Sequence, residues 1–173
     1  MSEDATFPAA PGSVNIIVAC DENRLIGCKG RLPWRIREDW RWFMDHIEGG
    51  ACVIGRVCYE AMLKGGHVNE KRHYYVISRN AALCGPHTEA FHSTSDALAA
   101  AKASGRAVWI CGGVKIYEEC LPLADRLYLT RVHAAFEGDA WMPDWNAHFG
   151  PELYRREGAD AKYRYTFSVM GRK

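Results

Sequence analysis

The 173-residue chain has no excess of charge of either sign and no long apolar run. Its 22 Lys and Arg residues against 21 Asp and Glu residues give a formal net charge of +1, without the basic footprint of a nucleic-acid-binding protein. No stretch approaches the roughly 20 apolar residues that a membrane-spanning helix needs. We therefore expect neither nucleic acid nor a membrane among the partners of this chain.

Motifs that bind metal ions or form disulfides are also missing. The seven cysteines form an odd set without a C-x-x-C pair, and several lie in apolar runs, where a thiol behaves as a small hydrophobic group. The seven histidines show no H-E-x-x-H spacing. The sequence predicts no disulfide, no zinc and no other metal site.

The first 13 residues are acidic and contain prolines, and they have no apolar h-region of a signal peptide. We predict a disordered arm over residues 1–13 and a single domain over residues 14–173, long enough to bury its own core. The expected location is cytoplasmic, and the expected state is a monomer.

Apolar runs alternate with amphipathic segments along most of the chain. The pattern predicts buried strands at residues 14–20, 51–54, 73–78 and 107–111. It predicts helices at residues 36–48, 56–64, 95–103 and 114–121. Residues 126–132 and 164–170 are typical of strands, with no helix pattern between them. This order predicts an α/β fold with a doubly wound, mostly parallel central sheet, helices on both faces and an antiparallel C-terminal edge.

A carboxylate, Asp39, stands among aromatic residues just after Pro33. Pro33 favours a loop before it and a helix after it. In that helix Asp39 shares one side with Trp42, Phe43 and His46. Loss of water on an apolar side raises the pKa of a carboxylate, which prepares it as an acid or a charged acceptor. The alternative is that Asp39 only favours the positive end of the helix dipole.

Ligands of such a sheet bind beyond the carboxyl ends of its strands, and three predicted ends carry suitable groups. The Gly112-Gly113 pair allows backbone amides at a helix start to approach an anion closely. Arg56 begins another helix, and Ser78 and Arg79 follow a third strand. Each of these side chains alone is typical of a solvated surface. Together they would fit a phosphate monoester, because Arg binds phosphate bidentately.

A set of motifs between residues 14 and 170 resembles the dihydrofolate reductase family. The motifs are Leu32-Pro33-Trp34 with Glu38-Asp39 and Phe43, Val53-Ile54-Gly55-Arg56 with Tyr59-Glu60, Gly112-Gly113 with Tyr117, and Leu127-Tyr128-Leu129-Thr130 before Glu137-Gly138-Asp139. The resemblance implies NADPH-dependent reduction of 7,8-dihydrofolate to tetrahydrofolate, a reaction of one-carbon metabolism. It also implies that residues 14–173 form a dihydrofolate reductase-like domain.

The resemblance implies roles on the substrate side. Asp39 is expected to bind the pterin and to hydrogen-bond to Thr130, while a water is expected to give the proton to the imine nitrogen. Leu32 and Trp34 belong to a loop of about residues 21–35 that closes over the nicotinamide. Further substrate contacts are expected from Ile17, Val18, Phe43, Met62, Arg72 and Cys111.

The resemblance also implies where NADPH binds. Ala19 and Ile26 are expected near the nicotinamide, and the Gly112-Gly113 peptide is expected to be cis. Contacts on the pyrophosphate side are expected from Gly112, Gly113 and Lys115. The 2′-phosphate is expected at Arg56, Ser78 and Arg79. Further cofactor contacts are expected at Gly55, Val57, Cys58, Val114, Ile116 and Tyr117.

The chain departs from the pattern of the family in three places. Cys58 replaces a usual Thr, and Trp40 is bulkier than the usual aliphatic residue. In residues 63–72 the usual prolines are absent, and Asn69 or Val68 stands where a Leu is usual. Arg72 keeps its spacing from the next strand and is expected to bind the glutamate carboxylate of the substrate. Two alternatives stay open. One is an NADPH-dependent reductase of another pterin or of a ribosylated pyrimidine, and the other is a non-catalytic nucleotide-binding protein.

Overall fold

The computed structural model of the chain describes residues 6–80, 83 and 87–173. Its strands are β1 Val14–Cys20, β2 Leu25–Gly27, β3 Ala51–Gly55, β4 His73–Ile77, β5 Thr88–Phe91, β6 Val108–Ile110, β7 Arg126–Val132, β8 Ala140–Trp141, β9 Phe149–Ala159 and β10 Arg164–Arg172. Its helices are α1 Arg37–Ile47, α2 Arg56–Lys64, α3 Thr94–Ala103 and α4 Val114–Cys120.

Eight of the strands form one sheet in the order β5-β4-β3-β6-β1-β7-β10-β9. The strands from β5 to β7 pair in parallel, and β10 pairs antiparallel with β7 and β9. This arrangement confirms the predicted α/β fold with its antiparallel C-terminal edge. None of the helices in the described part of the chain combines the length and apolar character that a membrane span requires.

Four strands, β2, β5, β8 and β9, were missing from the prediction. Three of them have at most four residues, too few to show a period. Strand β9 is long, but it is an edge strand, and most of its residues are exposed or only partly buried. Its charged side chains hide the alternation that identifies a half-buried strand.

Alternate residues of the central strands face two separate cores. Ile16 and Val18 of β1 pack in one buried cluster with residues of α3 and α4, whereas Ile17 packs in the other with residues of α1 and α2. Because both faces of the sheet are covered, its central strands carry apolar residues on both sides. The apolar runs therefore located these strands correctly in the sequence.

The predicted disorder of residues 1–13 does not hold from Phe7 onward, and residues 1–5 lie outside the described residues. The backbone N–H of Phe7 donates to Nε2 of His46 at 3.0 Å, and the Tyr128 hydroxyl donates to the Phe7 carbonyl at 2.8 Å. The Phe7 ring packs on Tyr154 and lies beneath the guanidinium of Arg126. The contacts of the single aromatic residue Phe7 thus hold the arm on the domain. The overall composition of the arm did not predict this packing.

We expect Phe7→Ala to lower the free energy of unfolding by about 1 to 2 kcal/mol. The substitution keeps the two backbone hydrogen bonds but removes a half-buried ring, so the loss is smaller than that of a fully buried Phe. Urea unfolding measures the change. Leu123→Ala is the control, because this side chain is 57% exposed and its loss should matter little. Equal effects of the two substitutions would mean that the arm contributes nothing to stability.

Candidate active site

A cavity of about 320 Å³, called the central cavity below, opens at the carboxyl ends of β1, β3 and β6. Helices α1 and α2, the Gly112-Gly113 turn before α4 and the loop after β1 supply most of its walls. The predicted site residues that line it are Ile17, Val18, Ala19, Ile26, Leu32, Asp39, Phe43, Val57, Cys58, Met62, Cys111, Gly112, Gly113, Val114, Tyr117 and Thr130. The structure thus brings most of the predicted residues to one place.

Several lining residues were not among the predicted site residues. They are Gly27, Gly30, Arg31, Trp40, Trp42, Ile54, Ala61, Asp139 and Ala140. Ala61 stands one helical turn after Val57, a spacing that could have identified it. Asp139 reaches the cavity because the short pair of β2 and β8 brings its loop close, and its carboxylate accepts the Lys29 backbone N–H at 3.1 and 3.2 Å. That pairing has no signal in the sequence.

Asp39 is the acidic side chain that α1 turns toward the apolar wall of the central cavity. It is only 8% exposed, and burial raises its pKa to about 6, while hydrogen bonding to Thr130 and Trp34 lowers the pKa by less. Trp34 lies outside the cavity lining. Its buried Nε1 has no well-aligned partner among the described residues, yet it is near enough to Asp39 to act on this pKa.

The raised pKa of Asp39 predicts that Asp39→Asn stabilises the fold in neutral solution. A carboxyl whose pKa rises from 3.8 to about 6 on folding is neutral in both states below about pH 4, so its ionisation does not affect stability there, and it lowers stability progressively between about pH 4 and 6. Above that window the buried charge opposes folding by up to about 3 kcal/mol, at about 1.4 kcal/mol per pKa unit. Urea unfolding should therefore show Asp39→Asn to be more stable at pH 8 and nearly unchanged at pH 4. A pH-independent gain would contradict this explanation.

The Gly112-Gly113 peptide is cis, as the resemblance implied. Gly112 has φ of +109°, a conformation that favours glycine, and a Cβ there would lie 3.2 Å from the Tyr117 hydroxyl oxygen. That hydroxyl donates to the Ile17 carbonyl at 2.9 Å, and the Gly55 N–H donates to the Gly112 carbonyl at 2.8 Å. Tyr117 and Gly55 thus hold the glycine turn against β1 and the end of β3.

The predicted phosphate-binding side chains lie at neighbouring strand ends, outside the lining of the central cavity. Gly55 of β3 pairs with Ile77 of β4, which places Arg56 and Ser78 at adjacent positions beyond the sheet. Arg56 is half exposed and bonds both carboxylate oxygens of Glu60 at 3.1 Å. Ser78 is buried, its hydroxyl accepts the backbone N–H of Asn80, and Arg79 is exposed.

Three other predicted residues lie off the central cavity. Lys115 is exposed on α4, whereas the side chain of Ile116 is buried in the hydrophobic core, which leaves its backbone N–H as the group expected to contact the cofactor. Arg72 is 5% exposed, and its guanidinium makes long hydrogen bonds of 3.4 Å to the carbonyls of His67 and Met44 and to Oδ1 of Asn69. Its Nε has no partner among the described residues.

A buried acid and a glycine turn that line one apolar cavity, with two arginines beyond neighbouring strand ends outside it, are typical of a nucleotide-dependent α/β oxidoreductase. A sequence model described as dihydrofolate reductase matches residues 13–172. The dihydrofolate reductase of Neisseria gonorrhoeae is 36% identical over 148 residues, which are 83% of this chain and 87% of that protein. The dihydrofolate reductase type A13 of Escherichia coli is 31% identical over 166 residues, 94% of this chain and 98% of that protein.

A solved structure, described as dihydrofolate reductase from Enterococcus faecalis complexed with NADP(H) and RAB-propyl, has the same fold. It aligns with a TM-score of 0.84 and 27% identity over 95% of this chain and 98% of that chain. The chain belongs to the dihydrofolate reductase family. The resemblance drawn from the motifs is thereby confirmed.

Proposed function

We propose that the chain reduces 7,8-dihydrofolate to tetrahydrofolate with NADPH, with Asp39 holding the pterin ring. Membership of the family supports the reaction. The observation that carries the role of Asp39 is its position: a carboxylate that is 8% exposed, on the wall of an apolar cavity, with a pKa raised to about 6. Such a group is placed to accept hydrogen bonds from the N–H groups of a ligand.

The substrate side of the site uses few polar groups. Asp39, beside Thr130, accepts the amino and ring N–H groups of the pterin and favours its protonated imine in the transition state. Phe43 and Met62 pack against the substrate, and a water supplies the proton to the imine nitrogen. The remaining proposed contacts on this side are Ile17, Val18, Leu32, Trp34, Arg72 and Cys111.

The cofactor side fits an extended nucleotide. When bound, NADPH supplies the hydride, and the chain positions it and excludes water. A Cβ added at Gly113 would meet only the Cys58 sulfur, at 3.9 Å, so the glycine turn leaves room for a diphosphate. Arg56, Ser78 and Arg79 hold the 2′-phosphate. The other proposed contacts are Ala19, Ile26, Gly55, Val57, Cys58, Gly112, Val114, Lys115, Ile116 and Tyr117.

The decisive experiment follows the loss of NADPH absorbance after addition of dihydrofolate and identifies tetrahydrofolate by mass spectrometry. Oxidation that needs dihydrofolate supports the proposal. Binding of NADPH without oxidation would favour the non-catalytic alternative.

One observation favours the first alternative, a reductase of another pterin or of a ribosylated pyrimidine, whose substrate has no glutamate tail. Arg72, expected to bind the glutamate carboxylate, faces carbonyl groups of the protein itself. A parallel assay with a 6-methyl dihydropterin tests it. A clear preference of the enzyme for the substrate without a tail would support this second candidate function.

We further propose a cytoplasmic location and a monomeric state without nucleic-acid partners. The six cysteines in the described residues are all free, which supports a reducing compartment, while Cys84 lies outside those residues. Size-exclusion chromatography with light scattering tests the monomer.

A further inference from the structure

The side chain of His46 joins helix α1 to the N-terminal arm. It is 7% exposed, and its ring lies edge-on to the rings of Trp109 and Tyr128. Its Nδ1 lies 2.7 Å from the Trp42 carbonyl oxygen, and its Nε2 lies 3.0 Å from the backbone nitrogen of Phe7. Both ring nitrogens are therefore bonded within the protein, one to the helix and the other to the arm.

The partners of the two nitrogens determine the protonation state of the ring. A carbonyl oxygen only accepts hydrogen bonds, so Nδ1 carries the proton that is donated to Trp42. A backbone N–H only donates, so Nε2 must be unprotonated to accept from Phe7. The docked arm therefore requires a neutral His46, because a second proton on Nε2 would point at the N–H of Phe7.

The ring is held more firmly than the arm. His46 is packed between two strands of the sheet and its own helix, whereas Phe7 is only partly buried. Besides its bond to His46, the Phe7 backbone is held by the Tyr128 hydroxyl, and its ring lies beneath the Arg126 guanidinium. A protonated ring would therefore displace the arm and keep its own place on α1.

Charged groups and solvent reach His46 from several elements. A cavity of about 200 Å³ between the arm and the end of α1 is lined by His46, Asp45 and Glu48, which gives protons a route to the ring. Burial has the largest effect on His46 and lowers its pKa from the ordinary value of 6.5, as does the Arg156 guanidinium of β9. The Trp42 carbonyl and the Asp45 carboxylate act in the opposite direction.

We propose that His46 is a pH-dependent latch for the N-terminal arm: its neutral ring holds residues 6–9 on the domain, and its protonation releases them. Release ends at the turn of residues 10–13. There the Ser13 N–H and hydroxyl both donate to the Ala10 carbonyl, and the Gly12 N–H donates to the Arg106 carbonyl.

The pH range of release follows from the direction in which the pKa of His46 is shifted. A histidine whose pKa is lowered on folding gives its full contribution to stability above about pH 6.5, and this contribution is lost as the pH falls through the lowered value. The arm is therefore docked in neutral solution and released in acid.

The test follows the arm and the ring separately by NMR between pH 8 and pH 5. Nitrogen relaxation of the Phe7 and Ala9 amides reports the order of the arm, and the Cε1 proton of His46 reports the protonation of the ring. In the unmodified protein the order parameters should fall from about 0.85 to below about 0.6. This fall should share its midpoint with the titration of His46, below pH 6.5.

His46→Gln separates the latch from a general effect of acid. The side-chain oxygen of Gln can accept from the Phe7 N–H in place of Nε2 but does not titrate, so the arm should stay ordered at pH 5. Urea unfolding gives a second readout. Phe7→Ala should destabilise the unmodified protein at pH 8 and hardly at pH 5, but should destabilise His46→Gln equally at both.

His133→Gln is the matched control, because it removes a histidine that bonds the Thr166 hydroxyl beyond the opposite end of β7 from Arg126. Its arm should be released at the same pH as that of the unmodified protein. An arm that stays ordered while His46 is protonated, or that is released at the same pH in His46→Gln, would overturn the inference. Neither readout depends on catalysis, so failure of the latch leaves the proposed function intact.

Discussion

Asp39→Asn is expected to lower the turnover of dihydrofolate at pH 7 by more than about tenfold. Asn keeps the size of the side chain but cannot carry the negative charge that favours a protonated imine in the transition state. Since the pKa of Asp39 is about 6, most of this carboxylate is ionised at pH 7 in the free enzyme. Turnover should recover partly as the pH falls, because the substrate then protonates in solution. Steady-state rates across the pH range measure both effects.

The same variant should keep nearly unchanged affinity for NADPH, which separates a role on the substrate side from a general disturbance of the site. Turnover like that of the unmodified enzyme would refute the assignment of Asp39. Combined with the expected gain in stability at pH 8, a loss of turnover would show that burial of this charge opposes folding and serves the reaction.

The central elements of the fold could be predicted because their residues are buried on both sides. Residues 14–20 and 51–54 are apolar except for Asn15, and they form β1 and most of β3. Edge elements were not predictable in this way. In β9 the partly buried Tyr154 and Arg156 alternate with exposed charged residues, so burial there depends on packing against β10 and α1 rather than on composition.

The candidate site also divides into contacts that the sequence predicts and contacts that it does not. The helical spacing that places Asp39 beside Trp42 and Phe43 is local, so the sequence contains it. Asp139 reaches the cavity because its neighbour Ala140 pairs with Gly27, and these two residues are more than a hundred positions apart in the sequence. Such a contact follows from tertiary packing, which no local pattern encodes.

Arg72 illustrates a further limit of prediction from the sequence. Its spacing from β4 led to the expectation that it binds the glutamate carboxylate of the substrate, yet the direction of its side chain depends on the turn that precedes it. That turn presents the His67 carbonyl to the guanidinium, and α1 presents the Met44 carbonyl. Only the folded structure determines which of these partners a long, flexible side chain contacts.

Replacing Arg56 and Arg79 together with Gln is expected to weaken NADPH binding by at least about a hundredfold. Each well-placed charge-assisted hydrogen bond to the 2′-phosphate contributes roughly 1.5 to 3 kcal/mol. The ion pair that Arg56 must give up with Glu60 is half exposed and contributes little by comparison. NADH affinity should change less than about threefold, because NADH lacks this phosphate. Titration of both cofactors by calorimetry measures the difference.

The single variants refine the assignment of these arginines. Arg79 is exposed, whereas Arg56 must exchange the Glu60 carboxylate for the phosphate, so Arg79→Gln should lose more NADPH affinity than Arg56→Gln. Arg155→Gln on β9 is the control, since this exposed guanidinium pairs only weakly with Glu152 and Glu157 at the far edge of the sheet. Equal losses for NADPH and NADH in the double variant would show that the two arginines support the fold of the site and do not recognise the 2′-phosphate.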